Sequence, residues 1–353
     1  MAVAAEREHV VGRPGDARQP NRHEVARYRL LQVGLATLRL GPALILVFLL
    51  IGVALTTPVF TNPRNIGNVL SQTAVLSVLA LGQLLVIVTR GIDLSVGSTL
   101  ALSSVVGAIV FTHTDSSLLV ILAILGTGVA VGLSNGVVFV LGRIPHAFIV
   151  TLASLGIARG IALKSAHGTL IPGMPHGVDV VGDSQRVWFP NSTFVVLGFA
   201  LFVFVLTTML VWGRWLYAVG GNPEAARRTG VPVKGVLISV YVISGLAAGI
   251  AGLITAGQTD SGSPTFGELA ELDAIAAVII GGAAFAGGRG HVGNALVGAF
   301  TIGVIRNALN LHNVDAFIQL IVIGVVILLA VEADVIRGHL EERFRVAQAA
   351  RSG

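Results

Sequence analysis

The sequence contains no cysteine and few charged residues. Without cysteine the chain can form neither a disulfide bond nor a thiolate metal site. Charged residues make up 12% of its 353 residues, whereas soluble domains carry about 25%. A surface so poor in charge cannot face water over this length, and the lipid bilayer is the solvent that tolerates it. Composition therefore predicts an all-α, polytopic integral membrane protein.

Sequence motifs of the common enzyme classes are also missing. There is no Gly-x-Ser-x-Gly elbow, no His-Glu-x-x-His zinc helix and no Gly-x-x-x-x-Gly-Lys-Ser/Thr phosphate loop. The histidines follow no ligand spacing, and no paired catalytic groups share one depth of the apolar segments. We therefore expect a protein that is not an enzyme, with no cofactor and no metal site, and that cannot hydrolyse ATP through a phosphate loop of its own.

Ten predominantly apolar runs approach the roughly 20 residues that a spanning helix needs. A polar, proline-containing loop at residues 165–190, a polar segment at 214–234 and an acidic loop at 259–273 separate some of them. The predicted spans are residues 40–63, 65–89, 94–114, 116–142, 147–164, 191–213, 235–258, 274–286, 291–311 and 316–331.

Basic residues give the orientation, because arginine and lysine concentrate in cytoplasmic loops. With both ends inside, every predicted inner loop contains a basic residue and the acidic loop lies outside. The predicted domains are a basic cytoplasmic tail at residues 1–38, a transmembrane domain at 39–334 and a cytoplasmic C-terminal tail at 335–353. The six arginines of the first tail, with Arg39 directly after it, would suit nucleic acid or anionic lipid, but setting topology is the simpler interpretation, so no nucleic-acid partner is expected.

The first polar segment of interest follows the second span and reads TRGIDLSVGS at residues 89–98. Gly91 and Gly97 permit a tight reversal of the backbone. Asp93 and Ser95 can accept backbone N–H bonds and so cap the next helix. A capped turn and a part of a translocation gate are both open interpretations.

The second segment predicts a short cytoplasmic helix at residues 223–229. Asn222 is a favourable N-cap and Pro223 suits the first turn. Glu224 stands at the positive N-terminal end of the helix, and Arg227 and Arg228 stand at its negative C-terminal end. Gly230 can end the helix. Its candidate docking residues are Asn222, Pro223, Glu224, Ala225, Ala226, Arg227 and Arg228.

Polar groups inside the spans are few. Arg159 and Arg306 are predicted near outer ends, and no ionisable residue stands at a clear midplane, which disfavours an ion-driven carrier. Hydroxyl and amide groups suit a neutral polyol, although helix-to-helix hydrogen bonds account for them equally well. The candidate lining residues are Gln83, Ser134, Asn135, Thr151 and Ser154.

Taken together, these segments resemble the permease subunit of ABC-type importers of the ribose class, within the branched-chain amino-acid permease superfamily. The resemblance covers residues 60–335. It is carried by GIDLSVG at 91–97, AVGGN at 218–222 with EAAR at 224–227, ELDAIAAV at 271–278, the glycine pairs at 281–282 and 287–288, and NALNL at 307–311.

The resemblance implies a transport subunit in a bacterial inner membrane. Its partners would be ABC ATPase subunits on the cytoplasmic face, an extracytoplasmic substrate-binding protein and a second permease copy that completes the pathway. The helix at 223–229 would fit a groove on the ATPase, and the loops at 165–190 and 259–273 would receive the binding protein. A self-sufficient secondary carrier or channel is the alternative.

Overall fold

The computed structural model describes residues 41–182 and 188–352. The predicted N-terminal tail lies outside these residues, as do positions 183–187 of the predicted outer loop.

The described chain is almost entirely helical. Two short strands, β1 (Ile171–Pro172) and β2 (Ser261–Gly262), pair antiparallel. A 3-10 turn covers Pro58–Thr61, and a π turn covers Val205–Met209. The helices are α1 (Gly41–Thr56), α2 (Pro63–Val88), α3 (Val96–Phe111), α4 (Ser117–Leu141), α5 (Ala147–Ser165), α6 (His176–Gly182), α7 (Asn191–Phe204), α8 (Val211–Gly221), α9 (Pro223–Arg228), α10 (Val233–Thr259), α11 (Ala270–Ile280), α12 (Val292–Leu311) and α13 (Ala316–Ser352).

Length and composition identify the membrane-crossing elements. Within the described residues, seven helices are long and apolar enough to span a bilayer. Six of them are α2, α4, α5, α10, α12 and the first half of α13, and the seventh is α7 with its π turn. Two shorter apolar helices, α1 and α3, add to these. This confirms an all-α, multi-pass membrane architecture.

Helices α2 and α10 form the centre of the bundle. Most of α2 is buried, and α10 packs against α4, α2 and α3. The apolar part of α13, by contrast, leaves nearly all of its side chains exposed. A central helix that contacts protein on all sides needs small residues wherever a neighbouring backbone approaches.

Glycines make the contact between α4 and α10 possible. A Cβ atom on Gly132 would overlap the carbonyl oxygen of Tyr241 and stand 3.0 Å from Cα of Gly245. A Cβ on Gly249 would stand 3.3 Å from Cα of Leu125. The glycines of α10 thus allow α4 to pack against it at close range.

Two ends of the bundle can be distinguished by their contacts. At one end, called the α9 end, the C-termini of α2 and α8 meet the link between α11 and α12, through Gly288 N–H donating to Val88 O at 2.8 Å. At the opposite end, β1 and β2 join the link between α5 and α7 to the link between α10 and α11.

Several predicted boundaries were wrong. The sixth span does not continue to residue 213, because the backbone turns to an extended conformation at Leu210 before α8 begins. The predicted outer loop at 165–190 contains β1 and α6. The acidic loop ends earlier than predicted, because Glu271 and Asp273 belong to the first turn of α11 and are buried. That helix ends at Ile280, so the predicted span at 274–286 is only partly helical.

We predict that Gly132→Ala destabilises the protein by about 1–3 kcal/mol, the usual cost of forcing atoms into a packed core. The added methyl must push the α4 and α10 backbones apart. Gly126→Ala in the same helix is the matched control, since no atom stands within 4 Å of the position that its added methyl would take. Thermal unfolding in detergent should show a lower midpoint for the first variant only. Equal midpoints would contradict the packing role.

Candidate functional site

The link between α2 and α3, residues 89–95, contains a buried carboxylate and is called the Asp93 loop below. Asp93 exposes 1% of its surface. Its Oδ1 accepts hydrogen bonds from the Ser95 N–H at 3.0 Å and the Ser95 hydroxyl at 2.6 Å. Its Oδ2 accepts one from the Ser244 hydroxyl of α10 at 2.8 Å. Both carboxylate oxygens are therefore satisfied by donors of the protein itself, which a buried carboxylate requires.

Helices α4 and α5 bind the same loop. Asn135 Nδ2 donates to the Ser95 hydroxyl oxygen at 2.9 Å, and the Ser154 hydroxyl donates to Asn135 Oδ1. The Thr151 hydroxyl donates to the Ile92 carbonyl at 3.0 Å. These bonds connect α3, α4 and α5 through side chains that are far apart in sequence.

Gln83 of α2 completes the arrangement. With its amide oriented so that both atoms have a partner, its nitrogen donates to the Asp93 carbonyl at 3.3 Å and its oxygen accepts the Asp93 N–H at 3.2 Å. Gln83 is fully buried. The Gln83 amide thus provides the hydrogen-bond partners of the Asp93 N–H and C=O, which a helix would otherwise supply.

Four of the five candidate lining residues therefore meet at the Asp93 loop. Asn135 and Ser154 join α4 to α5, whereas Gln83 and Thr151 bond the backbone of the loop itself. Ser134 is exposed. The helix-to-helix interpretation is therefore confirmed for Asn135 and Ser154. A pathway-lining role for the five residues stays a prediction.

The predicted capping of α3 was half right. Asp93 accepts a backbone N–H as expected, but it is the N–H of Ser95, the residue that precedes α3. Ser95 makes no side-chain cap to α3, because its hydroxyl donates to Asp93 and accepts from Asn135. The serine joins the loop to α4 instead of closing the helix end.

Both glycines of the loop motif lie where a side chain would collide. A Cβ on Gly91 would stand 2.5 Å from the Tyr241 hydroxyl oxygen. A Cβ on Gly97 would overlap the Gly267 carbonyl oxygen and Glu271 Oε2. The loop is thus fitted closely between α10 and the start of α11.

Helix α9 forms as the capping residues predict. Asn222 Oδ1 accepts the N–H groups of Glu224 at 3.1 Å and Ala225 at 3.0 Å. Gly230 has φ of 86° and ends the helix one residue earlier than predicted, at Arg228. Ala226 is buried and holds the helix against the bundle. The charged side chains of α9 are exposed, so their contacts with one another contribute little stability.

At the opposite end, hydrogen bonds join the link between α5 and α7 to the link between α10 and α11. The Met174 N–H donates to Asp260 Oδ1 at 2.6 Å, and Gly173 N–H donates to the Asp260 carbonyl at 2.8 Å. Arg159 of α5 donates to the carbonyls of Pro264 and Phe266. Burial raises the pKa of the nearby Asp179 carboxyl, and the negative charge of Asp260 raises it further.

A second set of polar side chains, in which Arg306 is partly exposed, lies beside it. Asp273 Oδ2 and Arg306 Nη2 are 2.5 Å apart, and Asn65 and Asn307 exchange amide hydrogen bonds at 3.1 Å and 3.0 Å. Arg159 and Arg306 therefore both lie toward the end opposite α9. Sequence analysis missed the partners of both arginines, because nothing in the spacing identifies which distant carbonyl or carboxylate each one meets.

No three histidine or acidic side chains of the described ranges are grouped so that they could hold a metal ion.

Comparison with known proteins identifies a family of membrane transport components. The family described as branched-chain amino acid transport system / permease component matches residues 65–331. The chain belongs to this family. Family members are transport components, so the chain is a transport subunit and not an enzyme.

Relatives in the family match along most of their length. A ribose import permease protein of Bacillus subtilis is 39% identical over 299 residues, covering 84% of this chain and 92% of the relative. An L-arabinose ABC transporter permease protein of Azospirillum brasilense is 34% identical, covering 87% and 91%. A xylose transport system permease protein of Escherichia coli is 33% identical, covering 79% and 86%. No solved structure matches the chain.

We predict that Asn135→Ala lowers the free energy of unfolding by about 1–3 kcal/mol, because it leaves the Ser95 and Ser154 hydroxyls without this partner in a buried site. Ser134→Ala is the matched control, since this neighbouring side chain is exposed. Chemical or thermal unfolding in detergent should separate the two variants. A wild-type midpoint for Asn135→Ala would show that the Asp93 network does not stabilise the fold.

Proposed function

We propose that the chain forms the membrane pathway of an ATP-driven importer for a small polar solute, a monosaccharide, which an extracytoplasmic binding protein delivers. The observation that carries the proposal is helix α9, a capped and exposed helix at one end of a transport-family permease that lacks a phosphate loop. The sugar class rests on the relatives, whose names specify ribose, L-arabinose and xylose.

Helix α9 is the proposed contact with a separate ATPase. Its backbone is fixed at both ends by Asn222 and Gly230, and Ala226 anchors one side. Its other side presents Glu224 and Arg227 to solvent. A short rigid helix can transmit the movement of a partner to the bundle without bending.

The proposed topology has ten crossings, with both chain ends and α9 in the cytoplasm of a bacterial inner membrane. Seven long helices, the shorter α1 and α3, and the segment that contains α11 supply the ten. Arg90, Arg143, Arg227 and Arg289 would then all lie inside, as the positive-inside rule favours.

The opposite end is the proposed contact with the binding protein. Its two links are joined by β1, β2 and the Asp260 bonds, so a partner resting on either link contacts a single unit. A second permease copy would complete the pathway. That the candidate lining residues face the pathway stays a prediction, because four of them bond other groups of the same chain in this structure.

Topology can be tested directly because the chain has no cysteine. In whole cells, Thr169→Cys at the opposite end should react with a membrane-impermeant maleimide, and His146→Cys, between α4 and α5 at the α9 end, should react only after the cells are opened. Both side chains are exposed in the bundle. Labelling of His146→Cys in intact cells would contradict the proposed orientation.

We also predict that the chain purifies from mild detergent with a phosphate-loop ATPase, and that Glu224→Ala with Arg227→Ala abolishes this. Loss of a hot-spot contact costs at least about 2 kcal/mol, and with these two residues as the hot spot of the docking surface, ATP-driven sugar uptake in proteoliposomes should fall at least about tenfold.

The matched control removes one acidic and one basic exposed residue at the opposite end, through Lys164→Ala with Glu268→Ala. This variant should retain the ATPase. Unchanged uptake in the α9 double variant would refute the docking role. A chain that purifies alone and transports sugar alone would establish the alternative, a self-sufficient carrier or channel.

A further inference from the structure

Arg90 has a backbone conformation that costs an arginine free energy. It has φ of 65° and follows the C-terminus of α2, where its N–H donates to Ile87 O and the next N–H, of Gly91, donates to Val86 O. This hydrogen-bond pattern normally places glycine at the left-handed residue. A glycine would satisfy the backbone here, so the side chain of Arg90 must supply the reason for its presence.

That side chain binds the end of another helix. Arg90 Nε donates to the Gly220 carbonyl at 2.7 Å, and Nη2 donates to the Gly221 carbonyl. These are the last two residues of α8, directly before Asn222, which caps α9. The C-terminus of α8 carries partial negative charge, which the guanidinium offsets.

The backbones around this contact pack closely against one another. A Cβ on Gly220 would overlap the Val88 carbonyl oxygen, and one on Gly287 would overlap Cγ of Arg90. Gly288 N–H donates to Val88 O at 2.8 Å, and the Tyr217 hydroxyl donates to the Gly290 carbonyl at 2.8 Å. A displacement of α8 therefore reaches α2 and the link before α12 together.

Arg90 lies near the start of the Asp93 loop, and the residues that follow it bond other helices. Two residues on, the Ile92 carbonyl binds Thr151 of α5, and three residues on, Asp93 binds Ser244 of α10. A route from α9 to the buried network thus passes through the Arg90 side chain, separate from the bond that Trp212 of α8 donates to Ser239 of α10. No other described residue of the Asp93 loop donates a side-chain hydrogen bond to α8.

We propose that Arg90 is the positioning residue that transmits displacement of α9 to the Asp93 loop. It contacts neither the solute nor the ATPase, and it acts by locking the end of α8 to the start of the loop. The proposal rests on the importer function above, since it assigns how that function is driven.

The test uses the whole complex of chain, ATPase and binding protein in proteoliposomes, with sugar uptake and ATP hydrolysis measured together. Arg90→Gly removes both side-chain bonds and suits the left-handed backbone. We expect it to retain the ATPase and its thermal midpoint, while sugar carried per ATP hydrolysed falls about tenfold, as for a lost pair of charge-assisted hydrogen bonds.

Arg143→Gly is the matched control. Arg143 follows the C-terminus of α4 at the same end, has φ of 52° and is exposed, as Arg90 is, but within the described residues its side chain donates no hydrogen bond to another helix. It should behave as wild type. Arg90→Lys keeps the charge but not the two-pronged donor geometry, and should give an intermediate ratio of sugar to ATP.

An unchanged ratio in Arg90→Gly would overturn the proposal, as would loss of the ATPase from this variant, which would assign Arg90 to docking. If Arg90→Gly does not fold, a wild-type ratio in Arg90→Lys overturns it and a reduced ratio supports it. Absence of ATP-driven uptake by the wild-type complex would instead refute the importer function itself, so the two failures are distinguishable.

Discussion

Backbone polar groups in a lipid bilayer have no water to bind, so every one must be satisfied inside the protein. The Asp93 loop is where this constraint is hardest to meet, because its backbone leaves helical geometry deep among packed helices. Gln83 binds the Asp93 backbone, Thr151 binds the Ile92 carbonyl, and the Asp93 carboxylate binds the Ser95 N–H. Helices α2, α3, α4, α5 and α10 are consequently held in one arrangement around the loop.

Features set by local chemistry could be predicted from the sequence. Hydropathy located most helices because lipid selects for long uncharged runs. Capping rules located α9 within one residue, since Asn222, Pro223 and Gly230 specify its ends without help from the rest of the chain. The end of the sixth span was missed because the break at Leu210 involves neither proline nor glycine and so has no local signal.

Features set by distant partners could not be predicted. The spacing of Asp93, Asn135 and Ser244 carries no mark that their side chains meet, and periodicity identifies a helix face but not its neighbour. Hydroxyls in apolar spans were therefore ambiguous between lining a pathway and joining helices. Likewise, β1 and β2 are only two residues each, too short for any alternating pattern to show.

Helix α9 and the hydrogen bonds around Asp93 would have different tasks in the proposed importer. Exposed charges on α9 add little to stability, so their presence in an otherwise charge-poor chain points to a use beyond folding. The bonds around Asp93, in contrast, link five helices through single hydroxyls and amides, each of which can exchange partners without breaking a helix. A push on α9 that reaches this network through Arg90 can therefore rearrange helix contacts while every helix stays intact, which a bilayer demands of any moving part.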